Sequence, residues 1–498
     1  MVLESISYLF LSTYMKDIKL HQVLGFLVGV ALLLGGLSAI VPDEGWDLGF
    51  ARLKFMSSQE VLKPLKQEKK DISKIIESLD TSVVREEKKV VHENGSKGDL
   101  GAPSNVNFDL ENVTAVKSTS GSQKYFQDFY RQLVDLPNSK KKIRILHFGD
   151  SQIEGDRMTG FIRQRMQEHF GGYGPGLIPA NNVYPTLAFQ QTYSANFIRY
   201  TCFGGPKLSN RKYGVLNSAA RFTPERRDSS MVNEVEAWIE IRPGNGAYGR
   251  AKTYNNVKLF YNSCVEPCNV KVYQGGNLIH EEELKTDGAA HTLSLSFGST
   301  PGSLRYVFTS KYSPNINGFS LEGDYGLQVD NIGMRGSSGT FFGAINQPSF
   351  ANMLNELNVG MVIMQFGGNS MPGMKDSASV RNYVNYFQGQ LRTLRKLKPD
   401  LAIMVIGPSD MSKMVNGTYE TYPLLPYCVE QMKKASLSLN IGFWDLFDAM
   451  GGKNSMPSWV EKDLARSDYT HFSIKGASFA AQLFYDALMA EFLQMGKN

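Results

Sequence analysis

At 498 residues the chain is longer than one compact core organises, so it divides into two or three domains. Its 53 Lys and Arg stand against 48 Asp and Glu; a formal charge of +5 without a basic stripe argues against a nucleic-acid partner. Of the four cysteines, Cys264 and Cys268 are close, but no second pair lies at zinc-ribbon spacing, which argues against a structural metal. The close pair keeps two readings: a local disulfide in an oxidising compartment, or two small buried thiols.

The first predicted element is an apolar run from Val23 to Val41, 19 residues without a charge. At about 1.5 Å per residue, a helix of this length nearly matches a hydrocarbon core of about 30 Å. Lys16 and Lys19 precede it, and Asp43, Glu44 and Asp47 follow. That asymmetry places the N-terminus inside and the rest outside the membrane. A cleaved signal peptide is the rival reading; the long N-terminal region favours an uncleaved anchor. We assign 1–45 to this anchor segment. From Pro42 to about Lys70, Leu48, Phe50, Leu53, Phe55 and Met56 suit a small docking segment. Residues 61–100 mix nine basic with eight acidic side chains, and 94–122 are rich in Gly, Ser and Asn. Residues 46–122 therefore read as a solvated spacer, partly helical at best.

The globular part is expected to begin near Gln123, with an amphipathic helix. Ile143, Ile145 and Phe148 then mark a short buried parallel strand. It stops at Gly149-Asp150-Ser151, and a helical pattern follows from about Asp156. A serine on a tight turn between strand and helix is held rigidly, with a helix N-terminus near any developing negative charge. By itself the tripeptide is ordinary turn chemistry.

From 181 to 325 the texture changes to Tyr, Phe, Thr, Asn and Gly. Alternating runs at Ala237–Ile241, Val257–Tyr261, Val270–Tyr273, His291–Phe297 and Leu304–Thr309 are separated by turns such as Gly275-Gly276-Asn277. This predicts an inserted antiparallel β-sandwich between two catalytic segments, 123–180 and 326–498. In the second segment, strands at 327–333, 359–368, 401–407 and 441–446 alternate with helices at Ser349–Leu357, Ser379–Leu397, Leu425–Leu437 and Lys475–Met495. Alternation of this kind predicts an α/β fold, a parallel sheet covered on both faces, with ligands beyond the carboxyl ends of the strands.

Three more stretches join Ser151. The loop Asn331 to Gly339 is glycine-rich, so its backbone can approach a ligand and offer an N–H to an oxyanion. Asn369, in Gln365-Phe-Gly-Gly-Asn-Ser370, supplies a side-chain amide donor. Asp468 and His471 are three residues apart, close enough to share one turn, where Asp can fix the tautomer of His while His deprotonates Ser151.

In this order (GDS, a Gly-rich loop, GGN, DxxH) the chain resembles the SGNH, or GDSL-type, hydrolases. The resemblance implies that Ser151 is the nucleophile, Asp468 and His471 complete the catalytic triad, and the Ser151 N–H, Gly336 N–H and Asn369 amide form the oxyanion hole. Gly333 is the rival of Gly336. Ser370 departs from the family's pattern, which has Asp after the Asn. With the insert between the first and second motifs, the chain is similar to peptidoglycan O-acetylesterases of the bacterial envelope, whose insert is carbohydrate-binding-module-like. This implies a serine esterase that needs no metal or organic cofactor and acts on an acetylated envelope glycan, with the catalytic domain in the periplasm. Two alternatives stand beside it. One is an O-acetyltransferase of the same fold, working with a membrane acyl-transfer protein; the other is a non-catalytic glycan-binding protein.

Overall fold

The strand Lys142–Gly149 (β1) has no solvent face: Ile143 and Ile145 point one way, Leu146 and Phe148 the other, and all four are buried. Such a strand needs cover on both sides. The computed structural model describes residues 19–41, 46–47, 52–53, 67–77, 113–225 and 233–496, and provides that cover. β1 is the second strand of a five-stranded parallel sheet with Gly326–Gly333 (β2), Val359–Gln365 (β3), Ala402–Ile406 (β4) and Gly442–Trp444 (β5), in the order β2-β1-β3-β4-β5. Helices Ser120–Ser139 (α1), Thr159–Phe170 (α2) and Ile474–Gly496 (α6) pack on one face around Phe129, Ile145 and Met361. Helices Gln347–Glu356 (α3), Ser377–Leu397 (α4) and Leu425–Leu437 (α5) pack on the other around Phe148, Val362 and Val405.

The predicted strands and helices of this part all appear, with small changes at their ends. One change matters to the site. The helix expected from about Asp156 starts at Thr159, after a 3₁₀ turn over Glu154–Asp156. Gly155 (φ +72°) and Asp156 (φ +67°) lie in the left-handed region and break the helix there. Asp156 is held in this conformation by Arg163, whose two terminal nitrogens reach its carboxylate at 2.6 and 2.8 Å. The helix N-terminus therefore does not abut Ser151.

Between β1 and β2 the chain builds two antiparallel sheets. One has five strands, including Val235–Pro243, Cys268–Gln274 and Leu304–Ser310; the other includes Ile198–Thr201, Asn256–Asn262 and Asn315–Glu322. Their facing sides share a core with Ile239, Leu259, Val272 and Phe308. The five predicted alternating runs fall in strands, and Gly275-Gly276 closes the hairpin between Cys268–Gln274 and Asn277–Glu283. Cys264 and Cys268 are not disulfide-bonded; both are buried.

The insert is welded to the parallel sheet. Gly176–Pro179 pairs with Asn315–Glu322, and Leu177, Tyr213 and Leu216 join the apolar cluster that covers Phe148. Beneath them Arg144 donates to Asp330 at 2.9 Å, to Ser320 at 2.7 Å and to Glu322. Burial alone would raise the Glu322 carboxyl; Arg144, Lys258 and Lys142 hold it well below the usual carboxylate range.

The described residues form two compact units, one ending at Gln67 together with Asn416–Thr418, the other holding everything else. In the first, Leu20–Ile40 is a single helix, starting three residues before the expected run; its Leu20–Leu37 stretch is long and apolar enough to cross a membrane. Trp46–Asp47 pairs with Arg52–Leu53. Lys16, Asp43, Glu44, most of the expected docking segment and residues 78–112 of the spacer lie outside the described residues. Part of the expected spacer is instead packed in the second unit. Ile72 is buried in the core, and the Lys70 backbone bonds Asn454 at 3.0 Å and Ser458 at 2.5 Å. Likewise Lys117 pairs with Phe443 before α1 begins.

Candidate active site

The sheet order puts the three strand-end motifs side by side. β2, β1 and β3 are neighbours, and each delivers one motif at its carboxyl end. In an order of this kind the crevice opens where successive connections leave toward opposite faces, at β1 and β3.

Ser151 lies two residues beyond the end of β1, on a turn clamped by Arg157, which donates to the Glu154 carbonyl at 2.8 Å and also to the Ser151 carbonyl. The Ser151 hydroxyl lies 2.8 Å from His471 Nε2. His471 Nδ1 lies 2.9 Å from Asp468 Oδ2. Asp468 also accepts from the backbone N–H of Thr470 at 3.0 Å and of His471 at 2.9 Å. The Asp-Tyr-Thr-His spacing thus forms one tight turn, with Tyr469 at φ +54°. Partial burial would raise the Asp468 carboxyl, but these bonds from His471 and Thr470 hold it below its ordinary value. With an acid oxygen on Nδ1, Nε2 is the nitrogen that faces the serine, as removal of its proton requires.

Asn369 stands on the turn after β3. Its amide nitrogen donates to Asp150 Oδ2 at 2.9 Å and to the Ser337 carbonyl at 3.1 Å. Gly336, at φ +78°, lines the same cleft as Ser151, Asn369 and His471. A Cβ there would meet only Phe203, at 3.8 Å, so backbone conformation and not space calls for glycine. Gly333 ends β2 and lines a neighbouring pocket. Among the described residues, neither the Ser151 N–H nor the Gly336 N–H has an acceptor. The cleft they face holds about 1320 Å³ counting its mouth, and Pro185, Thr186 and Leu187 of the insert form part of its wall.

Two supports escaped the sequence reading. Gln152 donates to the Thr470 carbonyl at 2.7 Å and accepts from the Phe472 N–H at 3.3 Å, straddling His471 and tying its loop to the Ser151 turn. Its only sequence signal is adjacency to Ser151. His147, buried below the site, bonds Gln365 at 3.0 Å and Thr159 at 3.0 Å; burial lowers its pKa to about 4, which keeps it neutral. Among the described residues no three His, Cys, Asp or Glu side chains gather as a metal ion would need.

Asp150 gives the site a pH-dependent cost. Burial pushes its carboxyl up to about 6, although the Gln152 N–H, His471 and Asn369 all favour the charged form. The native chain thus binds this proton more tightly than the unfolded chain does. The associated stabilisation is complete below about pH 4 and is lost as pH rises through about 6. Asp150→Asn removes the titration. Between pH about 4 and about 7, the unfolding free energy of the variant should gain up to about 3 kcal/mol on that of wild type. Chemical denaturation of both proteins at the two pH values measures it; a pH-independent difference refutes the burial-dominated account.

No protein-family model and no curated protein matches the chain. Among solved structures, a peptidoglycan O-acetylesterase aligns over 76% of this chain and 99% of its own, with a TM-score of 0.58 and 19% identity. A family two carbohydrate esterase from Clostridium thermocellum, in complex with cellohexaose, aligns over 53% of this chain and 94% of its own (TM-score 0.23, 12% identity). A salicylyl-acyltransferase from a tetracycline biosynthetic pathway aligns over 61% and 97% (TM-score 0.26, 13% identity). The last two are too distant to bear on the argument; the first bears on the fold. With a five-stranded parallel sheet, helices on both faces and an antiparallel β-domain let in between its first two strands, the chain has the SGNH fold.

Proposed function

We propose that the protein is a membrane-anchored serine esterase that removes O-acetyl groups from an envelope glycan such as peptidoglycan. The observation that carries this is the unbroken chain from Asp468 through His471 to the Ser151 hydroxyl, bonded at 2.9 and 2.8 Å, beside two unbonded backbone N–H groups. In this reading Ser151 Oγ attacks the acetyl carbonyl and its proton passes to His471 Nε2. Asp468 stabilises the resulting imidazolium. The Ser151 and Gly336 N–H groups and the Asn369 amide receive the negative oxygen. His471 then returns the proton to the sugar oxygen as its bond to the acetyl carbon breaks. Water, deprotonated by His471, releases acetate from Ser151.

The choice of glycan rests on the likeness in fold to the peptidoglycan O-acetylesterase and on a cleft walled partly by the insert. The test is acetate release from a panel of acetylated envelope glycans, run with and without a sugar acceptor. Release without acceptor supports the esterase. Acetyl transfer that appears only with acceptor makes it an acetyltransferase, and a membrane acyl-transfer protein then becomes its expected partner. No turnover of any acetyl ester by folded protein refutes both and leaves a glycan-binding role.

The helix Leu20–Ile40 is assigned as a single inner-membrane span, Lys16 and Lys19 inside and the catalytic part in the periplasm. Protease added after the outer envelope is opened should cut within residues 61–122 and release a soluble, active fragment. A catalytic part protected until the inner membrane is dissolved refutes this topology.

A further inference from the structure

Arg199 lies on Ile198–Thr201, the edge strand of the insert's six-stranded sheet, and faces a pocket between the insert and the Ser151 turn. Its Nε is shielded from solvent and has no hydrogen-bond partner. Among the described residues no carboxylate pairs with it. Burial lowers its pKa, and no carboxylate is among the groups that offset this. Arg199 is partly buried, with one guanidinium nitrogen neither exposed to solvent nor bonded, and an anion is its natural partner.

The pocket's other charges cancel. Glu154 is taken by Arg335, and Asp156 by Arg163, through two bonds each. Arg199 is therefore the one charge lining the pocket that the described residues leave unbalanced. The pocket adjoins the catalytic cleft, since Glu154, Gly155 and Thr186 line both. A sugar whose acetyl group sits at Ser151 can thus place a neighbouring substituent against Arg199.

We propose that Arg199 is a specificity subsite for a carboxylate borne by the acetylated glycan, so that the protein selects acidic sugars over neutral ones. The proposal rests on the esterase reading for the placement of the acetyl group, but binding tests it separately. The probes are O-acetylated muramic acid oligosaccharides with a free lactyl carboxylate, and the same compounds with that carboxylate converted to a methylamide. The full chain should prefer the acid by roughly 10–100-fold in kcat/KM, the range of charge-assisted bonds to a guanidinium, and mainly through KM. Arg199→Gln should erase the preference while leaving turnover of a small aryl acetate unchanged. Arg199→Lys should keep part of it, because charge survives without the fork.

Isothermal titration with the deacetylated acid and amide reads the subsite without any turnover. A preference in Kd that depends on Arg199, in a protein that hydrolyses nothing, would sink the esterase reading and keep the subsite. An Arg199→Gln protein that still prefers the acid overturns the proposal. So does one that loses aryl acetate turnover in equal measure, since that marks a structural role.

Discussion

Ser151→Ala and His471→Ala should each lower acetyl-ester turnover by roughly 10³–10⁶-fold, and the double variant should be scarcely worse than either alone. The geometry explains the non-additivity. The Ser151 hydroxyl is a weak nucleophile unless Nε2, 2.8 Å away, takes its proton as the bond to carbon forms. Without the imidazole the hydroxyl has no base; without the hydroxyl the imidazole has no nucleophile to activate. Asp468→Asn should cost less than or about as much as these. It keeps the bonds that an oxygen can accept from the Thr470 and His471 N–H groups, but its amide can present a donor to Nδ1 and favour the wrong tautomer. Steady-state rates on a soluble aryl acetate measure all three. A His471→Ala protein that keeps near wild-type turnover would show that the Asp-Tyr-Thr-His turn is not catalytic.

What the sequence discloses, and what it hides, follows from how local the signal is. β1 to β5 are buried on both faces, so continuous apolar runs such as Val359–Gln365 expose them directly. Three of the site motifs follow the ends of such runs, which is why Ser151, the Gly336 loop and Asn369 are legible in the sequence; Asp468 and His471 precede α6 instead. The start of α2 is hidden because Asp156 to Met158 continues the helical pattern; the ion pair to Arg163, seven residues on, holds Asp156 out of the helix. Strands of the insert without alternation were missed for two opposite reasons. Ser218–Arg221 is wholly buried, and Asn277–Glu283, an edge strand, is almost wholly exposed. Neither shows a two-residue period. Gln152 was invisible as a clamp because both of its loop partners, Thr470 and Phe472, are more than three hundred residues away. Ile72 lies in a charged stretch; with Ile75 and Ile76 it has i, i+3, i+4 spacing, but so short a helical signal is outweighed by the charge around it.

Asn369→Ala should lower kcat by roughly 10²–10³-fold and leave KM almost unchanged, the mark of a donor that serves the transition state. At rest both protons of the Asn369 amide are committed, one to Asp150 and one to the Ser337 carbonyl. Serving an oxyanion therefore means sharing one of these bonds, and the shared proton is the one toward Ser337. The longer of the two, at 3.1 Å, it goes to a neutral carbonyl, while Asp150 holds the amide in place with a carboxylate. In this account Asp150 is a positioning residue. Asp150→Asn leaves the Asn369 amide present but loosens its orientation, so its kcat should fall less, on the order of 10-fold, below the loss of a full donor. The pair of variants separates donation from support. If Asn369→Ala raised KM at constant kcat, Asn369 would be a substrate-binding residue. If Asp150→Asn cost as much as Asn369→Ala, the carboxylate itself would be acting on the reacting atoms, and the oxyanion hole would rest on the Ser151 and Gly336 N–H groups alone.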